Sequence, residues 1–163
     1  LSEFGRQVVL KMNAVGMMVD VSHVGEKSFW DTVALSTKPI IASHSCCKAL
    51  RNHPRNLTDE QIRAIARSGG VLQICLYKHF LADTDVATVA DAVRHIKHVV
   101  ELVGVDYVGI GSDFDGGGEI AGATSENQLI NITKALIKEG FDDDEISKIL
   151  GGNLLRVFRS ITE

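Results

Sequence analysis

Val19-Asp20-Val21-Ser22-His23 and Ile40-Ile41-Ala42-Ser43-His44 are two apolar, β-branched runs that each end abruptly in Ser-His. A run of this length and composition, bounded by polar residues, reads as a buried strand of a parallel sheet. Glu26 to Leu35, between them, reads as a short helix. The unit is therefore strand, helix, strand, and both histidines leave the sheet at the same edge. Ligands and chemistry in α/β sheets gather at the carboxyl ends of strands. Neighbouring strands lie about 5 Å apart, so two imidazoles placed alike can converge on one metal ion. His23 and His44 are the expected metal ligands, and imidazole suits zinc and its first-row neighbours.

The flanking sequence repeats the alternation. Residues 3–15 carry Phe4, Val8, Val9, Met12 and Val15 at near-helical spacing, closed by Gly16. Met17 to His23 is the first expected strand, and Pro39 opens the second. After an irregular stretch from Lys48 to Asn56, Thr58 and Gln61 spell a capping box for a helix that Gly69-Gly70 ends. Val71 to Tyr77 reads as a third strand, and residues 87–104 as a helix with a stripe of Val89, Val93, Ile96, Val100 and Val103. Tyr107 to Ser112 is a fourth strand. A helix around Leu129 to Ile137 follows, then a last one from Asp142–Asp144 through Gly151-Gly152-Asn153. Four such units make either a small open sheet or half of a (β/α)₈ barrel, whose full length is about 250 residues. With 163 residues the chain is too short for a whole barrel.

Composition excludes several classes. The chain is 45% hydrophobic and 23% charged, an ordinary globular balance, and its net charge of -4 offers no basic stripe for nucleic acid. No apolar run approaches the ~20 residues that cross a bilayer, and no signal-peptide pattern opens the chain. Three cysteines, two of them adjacent, are no disulfide framework. Cys46, Cys47 and Cys75 suggest reduced thiols and a cytoplasmic setting. Cys46 and Cys47 fall near His44, but adjacent side chains seldom face one ion.

Further candidates follow the later strands. Asp113, after the fourth strand, stands where a ligand or a general base belongs. Strand alternation would give Asp115 the same face, while Asp before glycine is also a common turn residue. Arg51, His53 and Arg55 lie in the loop after His44; a guanidinium there could hold a carboxylate, but on residue pattern alone a solvated loop is the better account of them. His95 and His98 read as an exposed helical surface, and His79 has no evident partner.

Four segments together resemble the zinc-dependent membrane (renal) dipeptidase family: Met18-Val19-Asp20-Val21-Ser22-His23; Ser43-His44-Ser45 with His53-Pro54-Arg55-Asn56; Gly109-Ile110-Gly111-Ser112-Asp113-Phe114-Asp115-Gly116; and Gly151-Gly152-Asn153-Leu154-Leu155-Arg156-Val157. The resemblance implies an amidohydrolase-type (β/α)₈ barrel with two zinc ions bridged by a carboxylate. It implies that His23 and His44 bind one zinc and that Arg55 holds the terminal carboxylate of a dipeptide. It further implies that Asp113 transfers the proton and that Tyr77 lies near the pocket. An asparagine often found in the family two residues before that tyrosine is Cys75 here.

The His-x-Asp pair that holds the other zinc in that family does not occur in this chain. The expected architecture is thus α/β, residues 1–163 forming a single segment equivalent to strands five to eight of the barrel with their helices. Its unpaired sheet edges and apolar faces invite association with a first half, as a separate chain or missing segment, or with another copy. The expected function is metal-dependent dipeptide hydrolysis, complete only with that first half. The alternatives are another amidohydrolase acting on a cyclic amide or lactone, and an inert half-barrel that serves as an interaction module.

Overall fold

A computed structural model describes residues 1–162. In chain order the elements are α1 (Glu3–Ala14), β1 (Val19–Asp20), α2 (Glu26–Leu35), β2 (Ile40–Ser45), α3 (Asp59–Arg67), β3 (Val71–Ile74), α4 (Lys78–Leu81), α5 (Val89–Val103), β4 (Val108–Ile110), α6 (Ile130–Lys138), α7 (Asp143–Ser147) and α8 (Asn153–Thr162). The four strands form one parallel sheet in sequential order, β1-β2-β3-β4. Val19 pairs with Ile40, Ile41 with Val71, and Leu72 with Val108. Sequential parallel order with a helical return after each strand is the path of a (β/α)₈ barrel followed for half its circuit.

Local chemistry explains the boundaries. Thr58 accepts from the Gln61 N–H while the Gln61 side chain accepts from the Thr58 N–H, the reciprocal cap the sequence predicts. Gly16 follows α1 at φ 71°, a left-handed position where a β-carbon is unfavourable. The strands are shorter than the apolar runs. Only Val19 and Asp20 of the first run pair as β-structure. The third and fourth stop at Ile74 and Ile110, and a short helix, α4, unmarked by any apolar period, follows Tyr77.

One core lies between the sheet and its helices. Phe29, Ile40, Ile62, Ile65, Leu72, Ile74, Leu81, Ile96, Ile132, Leu136 and Ile149 are fully buried in it. Each such side chain contributes about 1.5–3 kcal/mol over its exposed state. A smaller cluster joins Ile41 and Val71 to Val157 and Ile161 of α8. The Gly-Gly-Asn motif fastens that helix. Buried Asn153 donates from Nδ2 to the carbonyls of Val105 and Val108, at 2.7 and 2.8 Å. One turn on, Arg156 donates to the carbonyls of Gly69 and Asp106. This motif serves the amino ends of the strands; the Ser-His turns lie at the other end.

Helix α5 departs from its expected face. Ala92, Val93, His95, Ile96 and Val99 are buried, whereas Val100 and Val103 pack only in part. Packing against both α3 and α6 rotates the buried face toward Ala92 and His95. His95 is therefore a core residue, contrary to the exposed surface its spacing predicts. Its Nδ1 accepts from the Cys47 N–H at 3.0 Å and its Nε2 donates to the Leu81 carbonyl at 3.1 Å. Burial pushes its pKa down to about 4, the Leu81 carbonyl opposing. His98 is half-buried and pairs with Asp59 at 2.8 Å.

Candidate metal centre

His23 and His44 meet at the carboxyl end of the sheet. Their Nε2 atoms face each other at 2.8 Å, with ring centroids 4.9 Å apart. His44 extends from β2 with its Nδ1 against the Ser43 hydroxyl at 2.8 Å. His23 is exposed and sits at φ 65°; among the described residues the only other non-glycine with positive φ is Asp113, at 64°. Such backbone is uncommon even for His and Asp and gathers at functional sites. Both strained positions fall on residues the sequence nominates.

The left-handed turn changes the reading of the fourth strand end. Asp113 turns the chain into a short 3₁₀ segment, Phe114–Gly116, so strand alternation no longer applies and Asp115 points into solvent. Asp115 is not brought to the site. The Asp113 carboxylate instead packs over Gly116, where a β-carbon would stand 2.4 Å from Oδ1. Its Oδ2 lies 3.8 Å from the Cys75 thiol. At Gly111 a β-carbon would lie 1.8 Å from the Ser43 carbonyl oxygen, so glycine lets the end of β4 lean toward the histidine-bearing strand.

Arg55 reaches the same place from the loop. Its Nη2 donates to the His44 carbonyl at 3.4 Å, its guanidinium lies 5.4 Å from the Phe80 ring centroid, and its Nε is buried with no hydrogen-bond partner among the described residues. Slight desolvation of the exposed ring, then the Arg55 charge and His44, holds the His23 pKa below the ordinary histidine value, while Asp113 and Asp20 oppose. Tyr77 packs edge-on against Phe80 and His79, with Gly117 of the Asp113 turn beside its ring. His53 stacks near Phe80, its ring centroid 4.7 Å away. Arg51 turns aside to the Ala82 carbonyl and Asp83. The loop is thus half-buried wall, and Arg55 is the cation it aims inward.

The thiols are poor ligands. Cys46, Cys47 and Cys75 are free and buried. Burial raises all three pKa values, that of Cys75 to about 12. Thiolate, the ligating form, is therefore disfavoured.

Two neutral imidazoles fit a zinc-class ion. Zinc–imidazole bonds of about 2.0–2.1 Å in tetrahedral geometry set two such nitrogens about 3.3 Å apart. That is within a small ring rotation of the observed pair. Among the described residues no group of three or more His, Cys, Asp or Glu side chains forms a complete cage, whereas catalytic zinc takes about three protein ligands.

The family model for membrane dipeptidase (peptidase family M19) matches residues 1–163. The chain belongs to the membrane dipeptidase family. It is 40% identical over 174 residues to a Klebsiella pneumoniae protein described as an uncharacterized protein in the pqqA 5′ region, covering 99% of this chain and 61% of that one. It is 36% identical to dipeptidase tcpJ of Claviceps purpurea, covering 100% of this chain and 39% of that one. A metallopeptidase from Rhodobacter sphaeroides, solved with a phosphinate mimic of the dipeptide L-Ala-D-Ala, superposes with a TM-score of 0.94 at 32% identity, over 99% of this chain and 47% of that one. This member of the family therefore spans between 39% and 61% of the length of these relatives. No helix of the described residues is long and apolar enough to cross a membrane.

Proposed function

We propose that this chain supplies half of the active site of a zinc-dependent dipeptidase, with His23 and His44 as ligands to one of two zinc ions. The observation that carries the reading is the facing pair of Nε2 atoms at the ends of adjacent parallel strands. A bound ion of this class supplies Lewis acidity, polarising a peptide carbonyl and acidifying water near neutral pH. Two imidazoles fall short of a catalytic ligand set, so the remaining ligands come from outside these 163 residues. The free edges of β1 and β4 give the other half of a barrel, or a second copy, strands to pair with.

The chain's own groups divide the remaining work. Asp113, held over Gly116 and within electrostatic reach of His23, moves the proton from the attacking water to the leaving amine. Arg55 fixes the free carboxylate of the substrate: its unpartnered Nε–H is a donor waiting for an oxygen, and burial strengthens the charge-assisted bond it would make. A terminal carboxylate clamped next to the reacting bond limits the substrate to dipeptide length. Tyr77, Phe80 and His53 line the wall beside it.

The test is hydrolysis of an L-Ala-D-Ala and L,L-dipeptide panel by the zinc-loaded protein in which the remaining ligands are supplied. Cleavage of dipeptides but not of N-acylated amino acid amides lacking the carboxylate is the expected result. Turnover of cyclic amides or lactones in preference to dipeptides would overturn it.

A further inference from the structure

The Asp-x-Ser-His and Ser-His turns contain three side chains to which the hydrolysis assigns nothing: Asp20, Ser22 and Ser43. Asp20 is the exposed residue of β1, yet its carboxylate accepts three hydrogen bonds. Oδ1 receives the Ser22 N–H at 2.9 Å and the Ser43 N–H at 3.0 Å; Oδ2 receives the Ser43 hydroxyl at 2.5 Å. The Ser22 hydroxyl in turn accepts the His44 N–H at 3.0 Å. One carboxylate thus buckles together the two turns that carry the histidines.

The proton count along this chain has one solution. A carboxylate only accepts, so the single Ser43 hydroxyl proton points to Asp20. The Ser43 oxygen can then only accept from His44 Nδ1, 2.8 Å away, so Nδ1 carries the imidazole proton. Nε2 is left as a bare lone pair, aimed at the place where His23 Nε2 also points. Without Asp20 the serine hydroxyl is free to donate to Nδ1, and the imidazole proton moves to Nε2, where it blocks ligation.

We propose that Asp20, acting through the Ser43 hydroxyl, is a positioning residue that fixes His44 in the Nδ1–H tautomer and keeps its Nε2 free for metal. The metal half of this statement rests on the zinc reading above; the tautomer half rests on geometry alone. Groups of this kind, standing behind a ligating histidine, are worth about 10–100-fold in metal affinity.

The experiment is long-range ¹H–¹⁵N correlation of the histidine rings in the full metal-free chain at about pH 8, above the ordinary histidine range. Titration with zinc alone, by competition with a chromophoric chelator, accompanies it on the protein in which the remaining ligands are supplied. In the wild type His44 should show a protonated Nδ1 and a bare Nε2. Asp20→Asn keeps an oxygen for the two N–H groups but turns a donor toward Ser43, and should switch His44 to the Nε2–H form. Ser43→Ala leaves both backbone bonds to Asp20 in place, so the fold is kept; it should give a mixture of tautomers, and Ser43→Thr should restore the wild-type pattern. Zinc affinity should fall about 10–100-fold in Asp20→Asn and Ser43→Ala and stay near wild type in Ser43→Thr. An Nε2–H form in the wild type, an unmoved tautomer in Ser43→Ala, or switched tautomers with unchanged zinc affinity would overturn the proposal. A complete protein, its remaining ligands supplied, that shows the Nδ1–H form yet binds zinc no more tightly than its His44→Ala variant would instead strike down the zinc reading, a result distinguishable from the others.

Discussion

His44 on β2 and His95 on α5 are held in opposite ways. His95 spends both ring nitrogens on backbone, one accepting from Cys47 and one donating to Leu81, inside the core. His44 spends one nitrogen on Ser43 and turns the other toward a second imidazole at the half-open end of the sheet. A histidine whose two nitrogens are both consumed by its own chain is a structural cross-link between loops. One with a single nitrogen consumed is a donor kept in reserve. The difference lies in what the second nitrogen meets: a backbone carbonyl for His95, another imidazole for His44.

The contrast can be broken at several points. The largest effect belongs to the reserve end: Asp113→Asn keeps a residue that tolerates left-handed backbone while removing the carboxylate proposed as base, and should cut kcat of the complete zinc-loaded enzyme about 10²–10⁴-fold with unchanged thermal stability. Steady-state kinetics beside a melting curve reads both; near-normal turnover would remove Asp113 from proton transfer. At the cross-linking end, His95→Phe orphans the buried Cys47 N–H and leaves the Leu81 carbonyl only its bond from Arg94, and should cost about 2 kcal/mol, roughly 6 °C in Tm, with little change in zinc affinity. Equal losses of metal and stability in this variant would erase the distinction.

The pH dependence has a definite sign. His95 titrates near 6.5 in the unfolded chain and at about 4 when folded. Between those values the unfolded state binds the extra proton, so stability is full above about pH 6.5 and falls by up to about 3 kcal/mol as the pH drops through 4. Partial desolvation of half-buried His53, and slighter desolvation of exposed His23, lowers both in the same direction. Chemical denaturation at stepped pH should show this slope, flattened in His95→Phe. The smallest effect is Arg55→Ala, expected to raise KM about 10–100-fold with kcat nearly kept, as the loss of one charge-assisted anchor; a fall in kcat alone would move Arg55 from binding to chemistry.

Much of this was legible in the residues. Alternating β-branched runs and amphipathic stripes gave the order of the strands and of most helices, the Thr58–Gln61 box marked the start of α3 to the residue, and two strand-end Ser-His pairs pointed to the candidate metal centre. What escaped has physical causes. The first run stops pairing once the Val21 N–H has donated to the Ile41 carbonyl, because the Asp20 carboxylate then takes the Ser22 and Ser43 N–H groups. His95 hid because a helix packed on two flanks buries residues off its main stripe, and Asp115 was promoted by an alternation that the left-handed turn at Asp113 ends. The positioning role of Asp20 could not be read from spacing, since it depends on a carboxylate crossing from one strand to the next.

Gly111 offers nothing to react with, yet the Ser43 carbonyl occupies the volume its β-carbon would need. Alanine there would drive the last strand outward and carry the aspartate two residues on away from the imidazoles. In a saturation scan scored by catalysis, this position should therefore look as intolerant as a ligand, an instance in which the distance between reacting groups is set by a missing methyl.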